Sequence, residues 1–177
     1  MIANKDKCEF GKTNIEFLEY QLTGQGIAPL PTRVEAVQDF LAPTNKRQVR
    51  EYLGLINYYH RFIPNAAKSL NPLHQLLKGK GNDITWLDEA ERAFKLSKNL
   101  LARSTLLVHP TQTNTRIVVD VSDVAVGAVL EQWIGETWEP IGFFSKKLTP
   151  AATKYSAFDR ELLAIYLTIR HFRHLLE

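Results

Sequence analysis

Cysteine is nearly absent from the sequence, since Cys8 is the only one among 177 residues. A single cysteine excludes an internal disulfide and is typical of a reducing compartment. Long apolar runs are also missing, because none approaches the roughly 18 residues of a membrane span. The opening residues, MIANKDKCEF, lack the apolar stretch of a signal peptide. We therefore expect an intracellular chain with no membrane partner.

The charge balance excludes little. The chain has 22 Lys and Arg against 19 Asp and Glu, a net charge of +3 at neutral pH. This permits an acidic partner such as nucleic acid, although many ordinary proteins share it. Hydrophobic residues make up 45% of the chain, enough for a real core in one domain or two small ones.

The hydrophobic pattern changes from helical to strand-like along the chain. Residues 14–22 predict a strand, and apolar spacing then predicts helices over 32–41, 44–62 and 88–101. Alternating β-branched residues predict strands over 116–121, 126–132 and 138–145, followed by a helix from about residue 151. The predicted fold class is mixed α+β: a helical N-terminal half, then three strands and a long helix.

Asp120 is unusual because it interrupts the apolar strand IVVDVSDVAV. A carboxylate in a buried strand must be neutralised, hydrogen-bonded or bound to a cation. The last helix has a similar residue, Glu161, at the side of an apolar stripe that we expect to be buried. The members of that stripe are Tyr155, Phe158, Leu162, Ile165, Ile169, Phe172 and Leu176.

Two inward carboxylates on packed elements predict a site for a hard cation such as Mg²⁺ or Mn²⁺. A simpler interpretation stays open at this point. Asp120 could serve turn chemistry near a strand end, and Glu161 could extend into solvent or pair with an Arg.

The segment QVREYLGLINYYHRFIP predicts a helix with a glycine inside it, which costs about 1 kcal/mol relative to alanine. Its packing side carries Val49, Leu53, Ile56 and Tyr59 or His60. Its other side carries Arg50, Gly54, Asn57, Tyr58 and Arg61. These residues suit a nucleic-acid backbone that approaches closely at Gly54. Equally, Gly54 could only allow another helix to pack close.

Eight blocks, in a fixed order, carry a family resemblance. They are KCEFGKTNIEFLEYQLTGQGI, LGLINYYHRFIP, PLHQLL, the ITW…AF…L segment, LLVHP, VDVSDVAVGAVLEQ, EPIGFFSKKL and YSAFDRELLAIYLTIRHFRHLLE. Together they resemble part of the Pol polyprotein of Gypsy-type long-terminal-repeat retrotransposons. The resemblance extends from Lys7 to Glu177.

The resemblance implies four segments: the end of a reverse transcriptase palm with its primer-grip hairpin (1–26), a thumb (27–75), a connection (76–112) and the N-terminal half of an RNase H-like domain (113–177). It implies that Asp120 and Glu161 are catalytic, metal-binding carboxylates for Mg²⁺ or Mn²⁺. Arg50, Gly54 and Tyr58 match the thumb face that lies along a primer–template duplex, and Asn57 and Arg61 extend that side.

Several departures from the family pattern bear on activity. The Tyr-x-Asp-Asp motif of the polymerase and the later carboxylates of the ribonuclease do not occur in this sequence. Glu19 stands where the family usually has Gly, and Ser97 where Leu is expected. The strand with Asp120 is central in the family fold, so here we expect it to have an unpaired edge.

We therefore expect part of an RNA-directed DNA polymerase and ribonuclease H that is inactive alone. Its expected partners are an RNA:DNA hybrid or primer–template duplex and the rest of a retroelement polymerase. The expected location is the cytoplasm, a virus-like particle or the nucleus. A non-catalytic duplex-binding module and an inert remnant are the alternatives.

Overall fold

Two antiparallel sheets and six α-helices make up the part of the chain that the computed structural model describes, which is residue 8, residues 10–104 and residues 106–177. The mixed α+β fold class is confirmed. No helix among these residues has the length and apolar character needed to cross a membrane. Part of the predicted palm segment, residues 1–7 and 9, lies outside the described residues.

The first sheet begins with a hairpin where the sequence predicted a single strand. Its strands are β1 (Asn14–Phe17), β2 (Tyr20–Thr23), β3 (Gly26–Pro29) and β4 (Leu107–Val108), in that order. The prediction of one strand over 14–22 is wrong because Leu18 and Glu19 have φ values of 47° and 67°. Positive φ at both central residues is the geometry of a two-residue hairpin turn. Glycine adopts positive φ most readily, and Glu19 is the position at which the family resemblance leads us to expect Gly.

Five helices and a 3₁₀ turn surround the first hydrophobic core. They are α1 (Pro31–Gln38), α2 (Lys46–Tyr58), the 3₁₀ turn (His60–Phe62), α3 (Ala66–Ser69), α4 (Asn71–Gln75) and α5 (Asp88–Ala102). The predicted packing side of α2 is confirmed, since Val49, Ile56 and Tyr59 are fully buried. Helix α2 starts later than predicted because the Asn45 side chain accepts a hydrogen bond from the Gln48 N–H and caps it.

The second sheet contains β5 (Thr115–Val121), β6 (Ala125–Ile134) and β7 (Thr137–Lys147), in that order. These strands confirm the three that the sequence predicted. Helix α6 (Ala157–Leu176) packs across β5 and β6. It begins after Ser156, whose hydroxyl accepts a hydrogen bond from the Asp159 N–H, and not at residue 151 as predicted.

The predicted buried stripe of α6 is wrong. Of its members only Phe172 is buried, whereas Phe158 is 69% exposed and Ile165 is 48% exposed. The buried face is centred on Ala164, Thr168 and Phe172, which lies about 90° around the helix from the predicted stripe. The small side chains of Ala164 and Thr168 let the helix lie close to the sheet. Helix α6 has more apolar residues than the sheet covers, so the remaining ones are exposed to solvent.

Short side chains attach α3 and the residue before it, Asn65, to the second sheet. Asn65, with φ 52°, lies directly over Gly127, where an added Cβ would be only 1.7 Å from the Asn65 Oδ1. The Ala67 N–H donates to the Ser145 hydroxyl at 2.9 Å, and that hydroxyl donates to the Val126 carbonyl at 3.0 Å. These contacts fix α3 on the surface of β6 and β7.

Candidate nucleic-acid interface and acidic pair

The outer side of α2 is open to solvent. Arg50, Gly54 and Asn57 are all exposed there. A Cβ added at Gly54 would meet none of the described residues within 4 Å. The alternative that Gly54 allows another helix to pack close therefore has no support among the described residues. The helix presents a patch of bare backbone flanked by an arginine and an amide.

Tyr58 lies on the same side but also holds the hairpin turn. Its ring stacks on Tyr20 with a centroid distance of 5.3 Å and an interplanar angle of 8°. Its hydroxyl donates to the Leu18 carbonyl, and the Tyr20 hydroxyl donates to the Tyr58 carbonyl at 3.3 Å. Burial, followed by the contact with Tyr58, raises the pKa of Tyr20 to about 12. Tyr58 thus connects the exposed face of α2 to the β1–β2 hairpin.

Arg61 points to a different surface, a cleft between the 3₁₀ turn and the C-terminal half of α6. This cavity of about 210 Å³ adjoins a second one of about 370 Å³, and they share His171. All of the titratable side chains that line these two cavities are basic. We call this set the basic cleft, and it consists of His60, Arg61, Lys146, Arg170, His171 and His174.

His171 lies at the centre of the basic cleft. Its ring stacks on Phe144 at a centroid distance of 4.4 Å. Burial lowers the pKa of His171, and the positive charges of His60, His174 and Arg61 lower it further. An anion in the cleft would oppose this shift, because it favours the protonated ring. The cleft can therefore bind an anion more strongly as the pH falls.

Asp120 and Glu161 line one open cavity of about 240 Å³, together with Val119, Val121 and Ile165. The structure thus brings the two predicted carboxylates to one site. Both are exposed, so the prediction of inward, buried carboxylates is wrong. The reason is that β5 has a strand neighbour on one side only among the described residues, so no element of this part of the chain covers the two carboxylates from beyond its outer edge.

The chemistry of this acidic pair fits a hard divalent cation, since carboxylate oxygens are the ligands that Mg²⁺ and Mn²⁺ prefer. The neighbouring acid Asp123 is paired with Arg160, which lowers the pKa of Asp123 through a hydrogen bond and through its charge. Among the described residues no group of three His, Cys, Asp or Glu side chains converges on a metal position. Asp120 and Glu161 are thus the two carboxylates that this cavity offers to a cation.

Sequence reasoning missed most of the basic cleft. It identified Arg61 but not His60, Lys146, Arg170, His171 or His174. The 3₁₀ turn and α6 are far apart in sequence, so no local pattern joins them. The available signal was the HFRH motif at 171–174, where two histidines three residues apart share one side of a helix.

Residues 86–177 match the family model of the RNase H-like domain found in reverse transcriptase. The chain belongs to this family. Over its whole length it is 34% identical to the Transposon Tf2-3 and Tf2-4 polyproteins of Schizosaccharomyces pombe. The chain spans about 13% of the length of these polyproteins. The resemblance to Gypsy-type retrotransposon polyproteins is thereby confirmed.

Solved structures show the same fold. The chain is similar to the foamy viral protease–reverse transcriptase dRH in complex with double-stranded DNA, with a TM-score of 0.80 and 20% identity over 93% of this chain and 29% of the viral one. It is also similar to the foamy viral protease–reverse transcriptase in complex with an RNA/DNA hybrid, with a TM-score of 0.78 and 19% identity over 93% of this chain and 22% of the viral one.

Proposed function

We propose that this chain is the duplex-holding part of a retroelement reverse transcriptase and ribonuclease H, and that it binds an RNA:DNA hybrid or a primer–template duplex. The observation that carries the proposal is the open face of α2, where Arg50 and Asn57 flank the bare backbone at Gly54. The duplexes bound by the foamy viral proteins of the same fold support it.

The chemistry of this face suits a nucleic-acid backbone whose sequence is not read. A guanidinium such as Arg50 binds phosphate oxygens, and an amide such as Asn57 can donate to phosphate or sugar oxygens. The absence of a side chain at Gly54 lets the duplex approach the helix closely. Arg61 and the rest of the basic cleft add positive charge for a further stretch of backbone.

The acidic pair adds a chemical role in the complete polyprotein. Asp120 and Glu161 would hold Mg²⁺ or Mn²⁺, and a bound ion of this kind activates water and stabilises the departing oxygen of a phosphodiester. The contribution of the chain is to present two carboxylates from β5 and α6. We expect the 177-residue chain alone to bind a duplex without hydrolysing it, because the described residues bring no third ligand to the pair.

Binding is tested by fluorescence anisotropy with a labelled RNA:DNA hybrid over a range of salt concentrations. Arg50→Ala should weaken binding for every duplex sequence and reduce the salt slope by about 1, because one phosphate contact is lost. The control Arg103→Ala makes the same charge change at the end of α5 and should leave the slope unchanged. Equal slopes for both variants would refute the assignment of Arg50.

Gly54→Ala separates binding from folding. It should raise the free energy of unfolding by up to about 1 kcal/mol, since alanine favours a helix and has room here. It should nevertheless weaken duplex binding, because the added methyl group stands where the backbone approaches. Unchanged affinity would show that the duplex does not contact α2 at this position.

Catalysis is tested with a labelled RNA:DNA hybrid in Mg²⁺ or Mn²⁺, with Asp120→Asn as the control. We expect no cleavage by either protein. Cleavage by the parent chain that the substitution abolishes would instead mean that the acidic pair suffices for turnover, and would overturn the inactivity of the isolated chain.

A further inference from the structure

The basic cleft gathers positive charge without a counter-charge. Among the described residues no carboxylate lines either of its cavities. Like charges in one cleft repel each other unless an anion offsets them. The cleft lies beside β7 and the acidic pair at β5, with β6 between these two strands. The first cavity contains His60, Arg61, His171 and His174, and the second contains Lys146, Arg170 and His171.

Arg170 differs from the other arginines of residues 113–177. Those three are each paired with a carboxylate: Arg116 with Glu131, Arg160 with Asp123 and Arg173 with Glu177. Arg170 has neither a salt bridge nor a side-chain hydrogen bond to any of the described residues. Within the same part of the chain, the side chains of Lys146, His171 and His174 also lack both. The donors of the cleft are therefore available to a ligand.

Two histidines of the cleft are placed to gain a proton when an anion enters. The His60 Nδ1 lies 2.8 Å from the Asn57 carbonyl oxygen. Because a carbonyl only accepts, Nδ1 carries the hydrogen, and Nε2 is the nitrogen that protonation would fill. The His171 ring is held against Phe144 by stacking. The groups that face it from the 3₁₀ turn, from β7 and from α6 are all basic, namely His60, Arg61, Lys146, Arg170 and His174.

We propose that the basic cleft is a binding site for a phosphate group, and that His171 and His60 take up protons as the phosphate binds. Phosphate suits these donors, because a guanidinium binds its oxygens in pairs and a protonated histidine donates a further hydrogen bond. Backbone phosphates of a duplex and free phosphate compounds share this chemistry. A duplex as the source rests on the proposed function, whereas the site itself does not.

Binding and protonation are linked at His171. Burial and the neighbouring positive charges lower the pKa of His171 in the free chain. A bound phosphate offsets those charges and raises this pKa, so the complex holds more protons than the free chain. The affinity therefore rises as the pH falls through the range between the two pKa values. It does not depend on pH in alkaline solution, where the ring is neutral in both states.

Proton NMR of the five histidines tests the site without nucleic acid. Each ring is titrated in sodium sulfate and in sodium chloride of equal ionic strength, which keeps general screening the same. Sulfate has the shape of phosphate, and its charge is constant over the histidine range. We expect sulfate to raise the pKa of His171 by at least about 0.5 relative to chloride. His171→Gln identifies the signal, and His109, hydrogen-bonded to the Thr23 carbonyl, should be unchanged.

Two arginines of α6 provide matched variants. Arg170→Gln removes a cation of the cleft and should weaken sulfate binding at least about threefold, because a charged hydrogen-bond donor is lost. Arg173→Gln makes the same charge change three residues later, outside both linings, and should leave the sulfate affinity unchanged. Both affinities are read from the dependence of the His171 signal on sulfate concentration.

Fluorescence anisotropy with a labelled RNA:DNA hybrid identifies the source of the phosphate. If the duplex backbone enters the cleft, the parent chain should bind at least about threefold more tightly at about pH 6 than at about pH 8, and His171→Gln should remove most of this difference. Equal affinities at both pH values, together with the sulfate effect, would support the site and assign it to a free phosphate compound. Arg50→Ala should weaken binding at both pH values without changing their ratio, which separates the face of α2 from the cleft.

Two results would overturn the proposal. A His171 titration that is the same in sulfate and in chloride would show that no such anion binds beside this ring. Equal sulfate affinities of the Arg170→Gln and Arg173→Gln variants would place the anion elsewhere. Absence of hybrid binding at every pH would count against the proposed function alone, because the sulfate measurement decides the phosphate site.

Discussion

The close approach of β3 to β4 predicts a large effect of a single methyl group at Gly26. A Cβ at this position would lie 2.2 Å from the Leu107 carbonyl oxygen and 3.0 Å from its carbon. Ordinary contact needs roughly 1 Å more. Leu107 is fully buried in the first core, so its backbone cannot move freely.

The cost of Gly26→Ala follows from what must give way. Either the core overpacks, at about 1–3 kcal/mol, or β3 separates from β4 and loses ladder hydrogen bonds worth about 1 kcal/mol each. Both routes predict that the free energy of unfolding falls by about 2–3 kcal/mol. This is a large fraction of the stability of a typical domain.

Urea unfolding followed by circular dichroism measures this loss, and Gly24→Ala is the matched control. Gly24 lies in the same turn, and a Cβ there meets none of the described residues within 4 Å. We expect the control to change the free energy of unfolding by less than about 0.5 kcal/mol. A Gly26→Ala variant as stable as the control would refute the β3–β4 contact as described.

Two further predictions concern buried polar groups. Ser97→Ala and Tyr52→Phe should each lower the free energy of unfolding by about 1 kcal/mol, because each removes the same buried hydroxyl–hydroxyl hydrogen bond of 2.6 Å. The double variant should therefore lose less than the sum of the two. Additive losses in urea unfolding would contradict this. Burial and nearby positive charges lower the pKa of His171 in the folded chain, so the unfolded state binds more protons. Stability should therefore fall as the pH drops from neutrality through the ordinary histidine value of about 6.5. His171→Gln should reduce that fall, and an unchanged pH dependence would show that His171 does not cause it.

The parts of the fold that sequence predicted well have strong local patterns. The packing side of α2 follows from large apolar residues at helical spacing, and the three strands of the second sheet from β-branched alternation. Local patterns could not predict the β1–β2 hairpin, because its two turn positions hold Leu18 and Glu19, and neither residue type is common in such turns. The presence of Ser97 where Leu is expected is explained only by the structure, in which the Ser97 hydroxyl is hydrogen-bonded to the hydroxyl of buried Tyr52.

The candidate site was predictable to a similar degree. The sequence showed one carboxylate in a strand and another on the helix expected to pack against it. This was enough to predict that Asp120 and Glu161 lie close together, and both line one cavity. Their burial was misjudged because periodicity cannot tell which of two apolar sectors of α6 faces the sheet. The basic cleft was not predicted, because its residues come from three separate elements: the 3₁₀ turn, β7 and α6.

The contact of Asn65 with Gly127 has a thermodynamic consequence for the whole chain. A left-handed residue fitted over a glycine tolerates little displacement, and the Ala67–Ser145 hydrogen bond lies beside it. Opening either hydrophobic core would therefore expose the other at this joint. We expect one calorimetric transition, with the van't Hoff and calorimetric enthalpies equal, despite the presence of two cores. The helices around the first core and the second sheet would then be a single cooperative unit, in which damage to one is transmitted as lost stability of the other.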